Sequence, residues 1–188
     1  MTKFILSGGP SKEKSANQQA FFYEVVKGLP EPIKILGVYF AREKEQWPGL
    51  FEQEKRKFSS VSPKKNLEFV LADENKNVFI QQLQSTTVVF IRGGNELLLK
   101  KHLGGIENLN ELFQDKVIAG SSAGANILAQ YYYANDRDRI EEGLGILPIK
   151  AFCHYTDQKR EKLEKLKQYG QELKIYAIPE GKYYVIER

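Results

Sequence analysis

Short apolar runs and helix-like segments alternate repeatedly along this chain, and few architectures accommodate that order. Residues 3–8 form an apolar run that stops at Gly8-Gly9-Pro10, and helical spacing follows at Ala16, Ala20, Phe21 and Val25. Ser15 is placed to cap that helix and Gly28 to end it. The alternation continues with strands expected at 33–40, 67–72, 86–91 and 116–120, and with helices at 47–58, 74–84, 95–102, near 108–113 and at 123–133. Parallel neighbouring strands need a long crossover, usually a helix, so this order predicts an α/β fold: a mostly parallel central sheet flanked by helices on both faces.

The C-terminal part differs in character. Residues 157–169 are highly charged but keep a narrow stripe of Leu163, Leu166 and Tyr169, which predicts an exposed helix ended by Gly170. Two last apolar runs, 173–178 and 183–186, flank Pro179-Glu180-Gly181-Lys182 and read as a strand pair joined by a turn. With 188 residues and 41% hydrophobic content, a single domain spanning 1–188 is expected.

Composition removes several function classes. A net charge of +4 from 28 basic and 24 acidic residues is a mixed, solvated surface rather than a nucleic-acid footprint. One cysteine cannot make an internal disulfide, and one cysteine with two histidines cannot assemble a structural zinc site, so no metal is expected. The opening apolar run is too brief for a signal peptide and no stretch is long enough to span a bilayer, which predicts a cytoplasmic protein without membrane contact.

Gly120-Ser121-Ser122-Ala123-Gly124 fits G-x-S-x-G, with a strand before it and a helix after it. In that context a sharp turn between small residues lifts the Ser122 oxygen clear of the sheet. The N–H of Ala123, at the start of the following helix, is the natural donor to an oxyanion. Most serines in such turns are only caps or packing, so the reading depends on a base and an acid. Of the two histidines, His102 lies at a charged helix end, where a solvated role is the simpler one. His154 ends the apolar run of IKAFCHYTD, at the sheet edge where sites of parallel sheets gather. The segment YANDRDRIEEG offers Asp136, Asp138, Glu141 and Glu142 as acids, most of them surface charges. Arg92-Gly93-Gly94-Asn95 is a second glycine turn after a strand, where backbone N–H groups can approach a ligand.

Taken together, these segments resemble the peptidase E family of serine peptidases, which includes aspartyl dipeptidase and the cyanophycinases and has the class I glutamine amidotransferase-like fold. The resemblance covers nearly the whole chain and rests on FILSGG, FIRGGNELLL, GSSAGAN, AND, LPIKAFCHYT and LKIYAIPEG. It implies Ser122 as nucleophile, His154 as base and Asp136 as the acid, with Glu141 or Glu142 in reserve because cyanophycinases use a glutamate in this region. It implies Gly94 as the second oxyanion donor beside Ala123; Asn95 and Arg92, on the same glycine turn, are the candidate substrate-binding residues. The expected substrate is a short peptide with an acidic first residue or an aspartyl-linked dipeptide, its carboxylate paired with Arg92, Arg137 or Arg139. No cofactor is implied, and a homodimer is compatible with the family. Two departures stand out: Arg92 replaces a further glycine, and Ser121 replaces the bulky aromatic of aspartyl dipeptidase. Two other readings of the same residues are a non-catalytic ligand-binding relative and an α/β-hydrolase-type carboxylesterase. Against the esterase stand the chain's shortness and its lack of an HGGG-type segment.

Overall fold

The computed structural model describes residues 1–11 and 16–188, so the proposed Ser15 cap lies outside the described residues. The elements run β1 (Lys3–Ser7), α1 (Ala16–Val26), β2 (Ile33–Val38), α2 (Trp47–Val61), β3 (Leu67–Leu71), α3 (Lys76–Gln84), β4 (Val88–Ile91), α4 (Glu96–Leu103), α5 (Leu109–Leu112) and β5 (Val117–Ser121). They continue with α6 (Ala123–Asn126), β6 (Ala129–Ala134), β7 (Arg139–Glu142), β8 (Leu147–Cys153), α7 (Arg160–Gln168), β9 (Lys174–Ile178) and β10 (Tyr183–Glu187).

Six strands form the central sheet in the order β10-β1-β5-β4-β2-β3, with only β10 antiparallel to its neighbour. Side chains alternate across it as the two-residue period of a strand requires. Ile5, Ile33, Ile35, Phe90 and Ala119 face one way and pack with Phe21, Phe22 and Val25 of α1 and Phe58 of α2. Phe4, Leu6, Leu36, Val38, Ile91 and Ile118 face the other way, toward Phe79, Leu99 and Leu103 of α3 and α4. The expected mostly parallel sheet covered on both faces is therefore observed.

A second sheet was not legible in the sequence. Strands β7-β6-β8-β9 form it, with β6, β8 and β9 parallel and β7 antiparallel. The helix expected over 123–133 is one turn long, and the chain then extends into β6. Tyr131 and Tyr133 pack with Phe152 and with Leu166 of α7, whereas Tyr132 and Ala134 join the main core. This alternation, together with the strand preference of tyrosine, overrides the local helical spacing. The last two runs are strands as expected but not a pair: β9 joins the second sheet beside β8, and β10 joins the central sheet beside β1. The turn at 179–182 thus bridges the two sheets.

Candidate active site

Ser122 sits between the end of β5 and α6 with φ 54° and ψ −116°, a conformation that a non-glycine residue holds only under local constraint. Its N–H donates to the Ser7 carbonyl at 2.9 Å, and its own carbonyl accepts from Ala125 and Asn126. The turn also needs a bare backbone behind it, since a Cβ on Gly124 would lie 2.1 Å from the Ile91 carbonyl oxygen. The strand–turn–helix context of a nucleophile elbow is thus present. Position alone leaves the Ala123 N–H without an intrahelical acceptor. Gly93 packs against this elbow so closely that a Cβ there would come 2.8 Å from the Ser122 Cβ. That places the Gly93-Gly94 loop, with Gly94 at φ 155°, directly beside the serine.

His154 follows β8 and carries φ 54°. Its Nε2 is 2.7 Å from Ser122 Oγ, and its Nδ1 is 2.9 Å from Glu180 Oε1. A carboxylate only accepts, so the proton on this edge belongs to Nδ1, and Nε2 is left to accept from the serine hydroxyl. Gly9 makes room for the ring, because a Cβ at that position would sit 2.4 Å from His154 Cε1.

The carboxylate on His154 is therefore Glu180, where the sequence pointed to Asp136. The reason is strand register. β8 and β9 run parallel with Cys153 opposite Ile178, so His154 and Glu180 leave neighbouring strands at the same end. The Tyr155 N–H donates to Ile178 O and the Gly181 N–H to Gly9 O, which fixes that turn under the imidazole. Asp136 lies in the β6–β7 turn, exposed at the edge of the same cavity. Neither reserve acid is on the histidine. Glu141 accepts from Arg137, Arg139 and Tyr132. Burial raises its carboxyl, but those three hydrogen bonds outweigh burial and hold it at about 2. Glu142 is exposed on β7, the edge strand of the second sheet. Glu180 could have been found by the rule that singled out His154, since it too follows an apolar run at a strand's C-terminal end.

A cavity of about 500 Å³ opens over Ser122 and His154 and is lined in part by Phe22, Arg42, Glu54, Arg92 and Asn95. Arg92 does not present a free guanidinium. It pairs with Glu54, whose side chain is only 4% exposed, and Glu54 is also 3.1 Å from Lys57. Arg137 is likewise held by Glu96 and Glu141, and Arg139 by Glu141. Besides Glu180, sequence reading missed Arg42. Its Nε donates to the Gly93 carbonyl at 2.9 Å, which fixes the guanidinium plane beside the glycine loop. Asn95 caps α4, its Oδ1 accepting from the Leu97 N–H at 2.9 Å. Cys153 is fully buried, and burial pushes its thiol far above the usual range, so it is no nucleophile at neutral pH. Among the described residues no cluster of three or more metal-ligating side chains occurs, and no helix is long and apolar enough to cross a membrane.

The sequence pattern of peptidase family S51 matches residues 4–188. The chain belongs to peptidase family S51. It is a serine-type peptidase of the peptidase E family, as the resemblance implied. Solved structures agree in fold. A putative peptidase E protein from Listeria monocytogenes EGD-e superposes with a TM-score of 0.69 at 18% identity, covering 99% of this chain and 94% of that one. A peptidase from an acI-B1 Actinobacterium superposes with a TM-score of 0.66, also at 18% identity, covering 99% of this chain and 83% of its own. No curated protein sequence matches significantly.

Proposed function

We propose that this S51 peptidase cleaves short peptides through Ser122 as nucleophile, His154 as general base and Glu180 as the orienting acid. The observation that carries this reading is the relay from Ser122 Oγ to His154 Nε2 at 2.7 Å and from Nδ1 to Glu180 at 2.9 Å. His154 takes the hydroxyl proton as Ser122 Oγ bonds to the scissile carbonyl carbon. The tetrahedral oxyanion accepts from the N–H groups of Ala123 and Gly94, and the imidazolium is stabilised by Glu180. Collapse of the intermediate breaks the C–N bond, and His154 returns the proton to the leaving amine. Water, activated by the same imidazole, then hydrolyses the acyl-enzyme.

The substrate is a short peptide with an acidic first residue. The cavity suits a ligand of dipeptide size. The cation for the substrate carboxylate is Arg42, whose orientation is set by Gly93, since Glu54 already neutralises Arg92. A panel of dipeptides with acidic, basic and apolar first residues, run on wild type, Ser122→Ala and Arg42→Ala, tests this. Cleavage of acidic-first members is expected, with loss in Ser122→Ala and a selective loss of kcat/KM for those members in Arg42→Ala. Indifference to the first residue would remove the substrate class and leave the chemistry standing. Hydrolysis that survives in Ser122→Ala would remove the nucleophile.

A further inference from the structure

His154 is a β-carbon-bearing residue held in left-handed backbone conformation, φ 54°, at the point where its ring must meet both Ser122 and Glu180. Such a conformation costs roughly 1–2 kcal/mol per residue, so it persists only where surrounding contacts over-determine it. On one side the His154 N–H donates to the Gly8 carbonyl at 3.1 Å. On the other, the His154 carbonyl accepts from Lys159 Nζ at 2.6 Å. The same ammonium donates to Asn135 Oδ1 at 2.8 Å, and Asn135 Nδ2 donates to the Cys153 carbonyl at 2.9 Å. Two consecutive carbonyls, of Cys153 and His154, are thus gripped by one connected pair of side chains.

Resting on the reading of His154 as the base, we propose that Lys159 and Asn135 form a positioning clamp. It fixes the His154 backbone in its left-handed turn and so keeps Nε2 in line with the Ser122 hydroxyl. Neither residue touches the cavity over Ser122, and neither meets a reacting atom. The pair also ties three elements together at the site: Asn135 follows β6, His154 follows β8, and Lys159 closes the 3-10 turn before α7. Nζ stands 5.9 Å from the centre of the Phe152 ring, so the cation is drawn inward over an aromatic face as well as toward its two oxygen acceptors. Burial lowers its pKa, helped by Lys162 and opposed by Glu180.

Lys159→Met keeps the aliphatic stem and removes the ammonium, whereas Lys159→Arg restores a donor. Hydrolysis kinetics and the rate of Ser122 labelling by a fluorophosphonate are measured on both, with thermal melting alongside. The expected result for Lys159→Met is a fall in kcat and in labelling rate of about 10²-fold, the scale set by ångström-sized misplacement of a reacting group. KM is little changed and Lys159→Arg recovers most of the loss. A wild-type kcat in Lys159→Met, or a loss confined to KM, would overturn the clamp. If Lys159→Met does not fold, Asn135→Asp keeps the acceptor for Lys159, deletes the donor to Cys153, and is expected to lower kcat in the same way.

Imidazole nitrogen NMR separates this proposal from the peptidase reading on which it rests. The chain has only two histidines, so a His102→Gln background leaves one ring to observe. Wild type is expected to show a single Nδ1–H tautomer for His154, and Lys159→Met a mixture. An unchanged ring spectrum in Lys159→Met refutes the clamp whether or not the enzyme turns over. A folded wild type that neither labels nor hydrolyses refutes the base assignment instead.

Discussion

The imidazole of His154 meets Glu180 and not Asp136, and the two carboxylates make opposite predictions. Glu180→Gln keeps the shape but removes the charge that holds the Nδ1–H tautomer. It should lower kcat by about 10²–10⁴-fold, the upper figure being that of the corresponding change in a serine triad. Asp136→Asn should alter kcat by less than about tenfold, because Asp136 borders the cavity and takes no part in the relay. Steady-state kinetics of the two variants on one substrate separates the assignments. At this scale the meeting of Ser122 and His154 was legible, one residue from the elbow pattern and the other from its place at the end of an apolar run. The acid was not, because nothing local links residue 154 to residue 180. Their meeting depends on the register between β8 and β9, and sequence order along YANDRDRIEEG pointed elsewhere. The pairing of Arg92 was hidden for a similar reason, since its partner Glu54 lies on α2, 38 residues away.

Among the elements, α2 and the loop after β4 are joined by the pair of buried Glu54 with half-buried Arg92. Among the described residues, Glu54 Oε2 and Arg92 Nε have no hydrogen-bond partner, so within them the pair is incompletely satisfied. Removing Glu54 leaves two cations, Arg92 and Lys57, without their shared carboxylate. Glu54→Ala should destabilise by about 1–3 kcal/mol, whereas replacing both residues with methionine should cost less. Urea unfolding of the two variants reads the difference directly. Within the second sheet, Leu166 is the buried anchor of α7 against Tyr131, Tyr133 and Phe152. Leu166→Ala should cost about 2–5 kcal/mol, and a loss well below that would mean that α7 is not packed as described. The central-sheet elements were legible because their apolar runs are short and separated by helix-period segments. The second sheet was hidden because β6 follows α6 with no turn signal, and a mainly apolar stretch interrupted only by Asn126 and Gln130 suits either state.

Over the whole molecule, the turn at 179–182 joins the two sheets and also carries Glu180, so the candidate active site depends on both sheets being assembled. The Glu141 cluster acts on the same scale, holding β6, β7 and α4 together through Tyr132, Arg137 and Glu96. Its carboxyl falls from an ordinary 4.5 to about 2 on folding. A group whose folded pKa is depressed stabilises the protein fully above its unfolded value and loses that contribution as pH falls through the folded one. Stability should therefore drop between about pH 5 and pH 2, and Glu141→Gln should flatten that part of the curve while lowering stability at pH 7. Denaturant melts across this range provide the check.

In the proposed reaction Ser122 is the nucleophile, driven by a histidine that Glu180 orients. The most direct test is intact-mass analysis of fluorophosphonate labelling, with time courses for wild type, Ser122→Ala, Glu180→Gln and Asp136→Asn. One adduct per chain is expected, absent in Ser122→Ala, slowed at least about 10²-fold in Glu180→Gln and nearly unaffected in Asp136→Asn. A folded wild type that takes no adduct would contradict the proposed reaction. So would labelling that is slowed in Asp136→Asn and unchanged in Glu180→Gln.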